Sequence, residues 1–75
     1  MKRCQRFTAI IEREDDGYVA TCPELDVTSQ GETVEDARNN LVEAVELLLQ
    51  TADPSEIDNR LDREVFITQI GVRFG

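Results

Sequence analysis

Along residues 5–12, "QRFTAIIE", Phe7, Ala9 and Ile11 fall on one face and Arg6, Thr8 and Ile10 on the other, a period-two pattern that predicts a β-strand. "REDDG" follows, and Asp-Asp-Gly is turn chemistry in which Gly17 is free to take a positive φ. "YVATC" resumes the alternation, so residues 5–22 read as a β-hairpin that sets Cys22 opposite Ala9. Pro23 ends the second strand because it cannot donate to a ladder. "ELD" then connects to a brief third strand, "VTSQ", which Gly31 closes.

From Val34 to Gln50 the period lengthens to that of a helix. Val34, Ala37, Leu41, Ala44, Val45 and Leu48 form an apolar stripe, widened by Leu47 and Leu49, opposite Glu35, Asn39, Glu43, Glu46 and Gln50. Thr33 sits three residues ahead of Asp36, close to a capping box, and Glu35 and Asp36 suit the positive end of the helix dipole. Asp53-Pro54 breaks this helix, and Ser55 caps a further short turn through "EIDNRL".

Residues 64–74, "EVFITQIGVRF", alternate again, with Phe66, Thr68, Ile70, Val72 and Phe74 on one face and Val65 and Ile67 making the other apolar at its start. This predicts a last strand with cover on both faces. In a one-helix domain the second cover is another subunit, with Val65, Ile67, Ile70 and Val72 at the interface. The expected fold is α+β: an antiparallel three- to four-stranded sheet with one main helix on one face, in the order β-β-β-α-(α)-β. Residues 1–75 make one domain.

Seventy-five residues lie near the lower limit for a self-sufficient core, and the chain has three Phe, one Tyr and no Trp. Oligomerisation is a common remedy, so a homo-oligomer, dimer or tetramer, is expected. The basic start "MKRCQRF" runs into a polar-interrupted strand, so no signal peptide is expected, and no run reaches membrane-spanning length. These features point to the cytoplasm, where Cys4 and Cys22 stay reduced. The hairpin register also argues against a bridge between them.

Net charge is −8 and unevenly placed. Lys2, Arg3 and Arg6 make the start basic, whereas residues 12–46 carry eleven acids against Arg13 and Arg38, a net −9. That block would repel nucleic acid, because phosphate binding rests on Lys and Arg. It suits a basic protein partner, although acidic surface also serves solubility alone.

Catalysis lacks its parts. The chain has no His, no Cys-x-x-Cys and no Gly-x-Gly-x-x-Gly, so a zinc site, a Ser-His pair and a dinucleotide loop are not expected. Two-metal nucleases need acids projecting from strand interiors, but Glu12, Glu14, Asp15 and Asp16 gather at a turn. Cys22 has no evident base to lower its pKa and reads as a strand cysteine. A protein without enzymatic activity, cofactor or metal is therefore expected. Asp16 and Tyr18 at one end of the second strand, and Pro23, Glu24 and Asp26 at the other, are the candidate partner-binding residues, expected to be exposed. Tyr18 serves equally as a strand residue packing across the hairpin.

The series Asp16-Gly17-Tyr18, Cys22-Pro23-Glu24-Leu25, Ser29-Gln30-Gly31-Glu32-Thr33 and Glu35-Asp36-Ala37, with the helix through Ala44, resembles the N-terminal domain of HicB antitoxins and their HicB-like relatives. The resemblance covers residues 7–49. It implies a partial RNase H-like fold, β-β-β-α-β, without the catalytic carboxylates. It further implies a protein that neutralises HicA, a small basic RNA-cleaving toxin, by covering it. Typical HicB antitoxins continue into a helix-turn-helix or ribbon-helix-helix DNA-binding domain. No such separate domain is expected here, and so no autorepression. The alternative is a stand-alone oligomeric scaffold or regulatory protein of the same fold with another partner.

Overall fold

The computed structural model describes residues 5–75, and the start of the chain through Cys4 lies outside the described residues. Three strands, β1 (Ile10–Glu14), β2 (Gly17–Cys22) and β3 (Val27–Gly31), precede helices α1 (Val34–Thr51) and α2 (Pro54–Leu61). The strands form one antiparallel sheet in the order β1-β2-β3, so the fold is α+β.

The hairpin register pairs Ile10 with Thr21 and Glu14 with Gly17. Continued by one residue, it sets Ala9 opposite Cys22, as the sequence implied. The positive φ expected at Gly17 falls instead on Asp15 (φ 53°), a residue type that tolerates this region. Gly17 is needed for space: a Cβ there would lie 2.8 Å from the carbonyl oxygen of Gly31.

One face of the sheet, carrying Ala20 and Cys22, packs beneath Ala37, Leu41 and Val45 of α1, and Leu25 from the β2–β3 connection completes the buried core. Phe7, Ile11, Tyr18, Val27 and Leu48 pack around it. Thr33 caps α1, its hydroxyl accepting from the Asp36 amide at 3.0 Å. Val34 is an exception to the predicted stripe and stays 49% exposed. Gly31 lets α1 approach β3 at closest range, since a Cβ there would stand 2.4 Å from the Ala37 nitrogen. The side chain of Asn40 fastens the same two elements, donating to the Gln30 carbonyl at 2.8 Å.

The short second helix forms, but its N-cap is Asp53, with Pro54 in the first turn, rather than Ser55. Proline has the right fixed φ and no N–H to waste at that position. Arg60 donates to the Leu25 carbonyl and pairs with Glu56 at 3.2 Å, tying α2 to the β2–β3 connection.

The predicted final strand over 64–74 does not join the sheet. Glu64 adopts φ 51° after α2, and the segment runs outward with Phe66 85%, Ile70 80% and Phe74 94% exposed. The alternation that predicted it specifies an extended backbone and a face that wants cover, but carries no information on which edge receives it.

Candidate binding surface

The candidate residues fall at the two ends of β2, as their positions required, and do not form one patch. Asp16 is exposed beside a shallow depression of about 230 Å³ that Tyr18, Gln30 and Gly31 help to line. Tyr18 is half-buried, because its position opposite Gly31 turns its ring towards the core. At the other end Asp26 is exposed in the left-handed region (φ 56°), while Pro23 and Glu24 are half-buried. The exposure expected of Tyr18, Pro23 and Glu24 is thus only partial.

Glu24 is turned inward, towards the chain that leads into β1. Its carboxylate accepts from the Thr8 amide at 3.0 and 3.1 Å and from the Thr8 hydroxyl at 2.7 Å. The register explains why: Thr8 stands opposite Pro23, which has no N–H and ends the ladder, and the carboxylate supplies the pairing instead. Burial alone would raise the Glu24 pKa, but the bonds from Thr8, together with those from its own backbone and Cys22, outweigh it and hold the carboxyl below its ordinary 4.5. The Cys22 thiol reaches the same carboxylate at 3.5 Å. Burial above all, and then Glu24, push that thiol up from 9.0, so it stays protonated at neutral pH. Cys22 is free and buried.

The pairing of Tyr18 with Gly31 brings two separate acidic runs to the same end of the sheet. Glu14, Asp15 and Asp16 at the β1–β2 turn meet Glu32, Glu35 and Asp36 at the start of α1, and all six are exposed. Of the eleven acids in residues 12–46, Glu24 alone is not exposed. Sequence reading recognised the acidic block but not this convergence, since the two runs are linked only through the strand register.

A second surface was missed. Helix α1 lies mainly over β3 and β2 and barely over β1. An apolar groove of about 560 Å³ therefore remains between Phe7 and Ala9, the outer side of α1 at Val42 and Leu49, and Ile57 and Leu61 of α2. Its signal in the sequence was the apolar pair Val42 and Leu49, one heptad apart beside the main stripe, together with Ile57 and Leu61 at i,i+4. The predicted interface residues Val65, Ile67, Ile70 and Val72 all lie on the outward segment, where Val65 is half-buried and the others are exposed. Among the described residues no group of three or more potential ligands is placed to hold a metal ion, and no helix is long and apolar enough to cross a membrane.

No family model and no solved structure matches the chain. It is, however, 34% identical over 69 residues to a UPF0150 protein of Helicobacter pylori, covering 91% of this chain and 96% of that protein. The chain belongs to the UPF0150 family. Two UPF0150 proteins of Synechocystis are each 42% identical to it, one over 52 residues (67% of this chain, 66% of the relative) and the other over 48 (61% and 70%). The UPF0150 name assigns no activity, so the chemistry of the surface has to carry the functional reading.

Proposed function

We propose that this UPF0150 protein is a non-catalytic, HicB-like binding module of the antitoxin type, and that its acidic end takes up a small basic RNA-cleaving protein of the HicA kind. The observation that carries this reading is the convergence of Glu14, Asp15, Asp16, Glu32, Glu35 and Asp36 at one end of the sheet, beside the depression at Tyr18. Six exposed carboxylates within one small corner present a concentrated negative field. Such a field speeds encounter with a cationic partner and orients it on arrival. Asp16 and Tyr18 belong to this corner. Asp26 is at the far end, and Glu24 serves as an internal tie, so both are set aside as primary anchors.

The test is co-expression with a small basic RNA-cleaving protein encoded beside it. The reading expects RNA cleavage to be suppressed, with a complex that weakens as salt rises. It also expects the double variant Asp16→Lys, Glu35→Lys to lose suppression while keeping its circular dichroism spectrum. Undiminished cleavage in the presence of the wild-type protein, or full suppression by the double variant, would overturn it. The exposed apolar face of residues 64–74 favours a second reading, an oligomeric scaffold or regulatory protein of the same fold with another partner. That reading expects a stable self-assembly and no effect on RNA cleavage.

A further inference from the structure

We infer that residues 64–74 are a strand exchanged between two copies of this chain, each copy's segment seating in the other's apolar groove and extending its sheet beside β1. The first support is the segment itself. Its sequence alternates as a strand does, yet Phe66, Ile70, Val72 and Phe74 are 69–94% exposed. Isolated apolar residues on a surface are ordinary, but four on one face of a single segment form a contiguous patch of the kind that marks an interaction surface.

The second support is a largely apolar groove on the same molecule. The groove is lined by Phe7, Ala9, Val42, Leu49, Ile57 and Leu61. Ala9 is exposed although its position in the register places it on the core-facing side of the sheet, because α1 does not reach over it. Val42, Leu49 and Leu61 remain 39–43% exposed around it. Beside this groove runs β1, an edge strand whose outer main-chain groups have no ladder partner among the described residues. An incoming strand thus meets an open row of hydrogen-bonding groups and an apolar trough for one of its faces. Strand addition at a free edge combines those two sources of affinity.

The third support selects the occupant. The segment leaves α2 through Glu64 in the left-handed region and runs away from its own body, where it meets no groove. A second copy offers the same groove in reciprocal orientation, so a two-fold arrangement satisfies both segments and both troughs at once. An 11-residue strand spans about 36 Å at roughly 3.3 Å per residue. That length runs well past five-residue β1 and reaches the Phe7–Ala9 stretch leading into it. The acidic end at Asp16 and Glu35 is formed by other residues, so the exchange does not depend on the partner proposed above.

Complementation between variants tests the exchange. The wild-type protein, 8.5 kDa per chain, is expected to run at twice that mass by light scattering. A segment variant, Ile70→Lys with Val72→Lys, and a groove variant, Val42→Lys with Leu49→Lys, are each expected to be folded monomers, since all four positions lie outside the buried core. Mixed together, the two variants are expected to form a heterodimer, because one intact segment then meets one intact groove. Circular dichroism and a urea transition confirm that each variant is folded. Folded monomers that fail to complement would overturn the exchange and point to closure of each segment on its own groove. So would a wild-type monomer, or dimers that persist in either variant.

Discussion

Gly31→Ala probes the contact that holds the fold's two layers together. The added Cβ would lie 2.4 Å from the Ala37 nitrogen and 2.7 Å from both the carbonyl carbon and the Cβ of Asp36. Backbone atoms cannot step aside as a side-chain tip can. The start of α1 would have to lift by about 1 Å to restore ordinary contact near 3.4 Å. Ala37 and Leu41, which fill the core directly beneath, would be lifted with it. Overpacking costs about 1–3 kcal/mol, and a backbone obstacle places this site at the upper end. A chain of this size has a stability of roughly 4–11 kcal/mol, so the loss is a substantial share of it. At about 4–8 °C per kcal/mol for a small domain, the melting temperature should fall by roughly 10–20 °C. Thermal unfolding followed by circular dichroism reads this directly. Gly71→Ala, at a position with nothing of its own chain within 4 Å, serves as the control for the body of the fold and should change little at a concentration low enough to keep the chain monomeric. A Gly31→Ala protein melting within about 2 °C of wild type would refute the close-approach argument.

Glu24→Gln and Cys22 give two more tests. The Glu24 carboxyl titrates below 4.5 in the fold, so its ionised form stabilises the native state above that value, and the contribution drains away as pH falls through the folded pKa. Wild type should exceed Glu24→Gln by about 1–2 kcal/mol in urea unfolding near neutral pH, with the gap closing under acid; a gap that does not vary with pH would contradict the Thr8 tie. The buried, protonated Cys22 thiol should react with a water-soluble thiol reagent only after denaturation, and prompt labelling of Cys22 in the native protein would show that the core is not closed over it.

The local elements were legible because each is specified by neighbouring residues. Asp-Asp-Gly between two alternating runs marked the hairpin, and Thr33 with Asp36 marked the start of α1 and does cap it. The opposition of Cys22 and Ala9 followed from counting along the hairpin. Less legible were features that depend on what a residue meets across space. Gly17 and Gly31 are selected by the room their neighbours leave, not by backbone angle, and a turn motif does not reveal that. Glu24 read as an exposed partner-binding acid because nothing local announces that Thr8 lies across from Pro23. Leu25, fully buried, was hidden for the same reason as a single apolar residue within a polar connection. At 64–74 the pattern described the strand's need for a partner without describing the partner. Of the candidate site, the acidic block was visible as composition, whereas its gathering at one end of the sheet required the register.

The order of strands in the sheet is also their order along the chain, and this has a kinetic consequence. β1 meets β2 across the two residues Asp15 and Asp16, β2 meets β3 across the four residues 23–26, and α1 folds back onto β3 almost at once. Each strand pairing closes a short loop, so little chain entropy is lost before contacts begin to form. Local pairings of this kind favour rapid folding. Residues 64–74 take no part in that search. Refolding of the body over residues 5–61 should therefore follow first-order kinetics whose rate is independent of protein concentration.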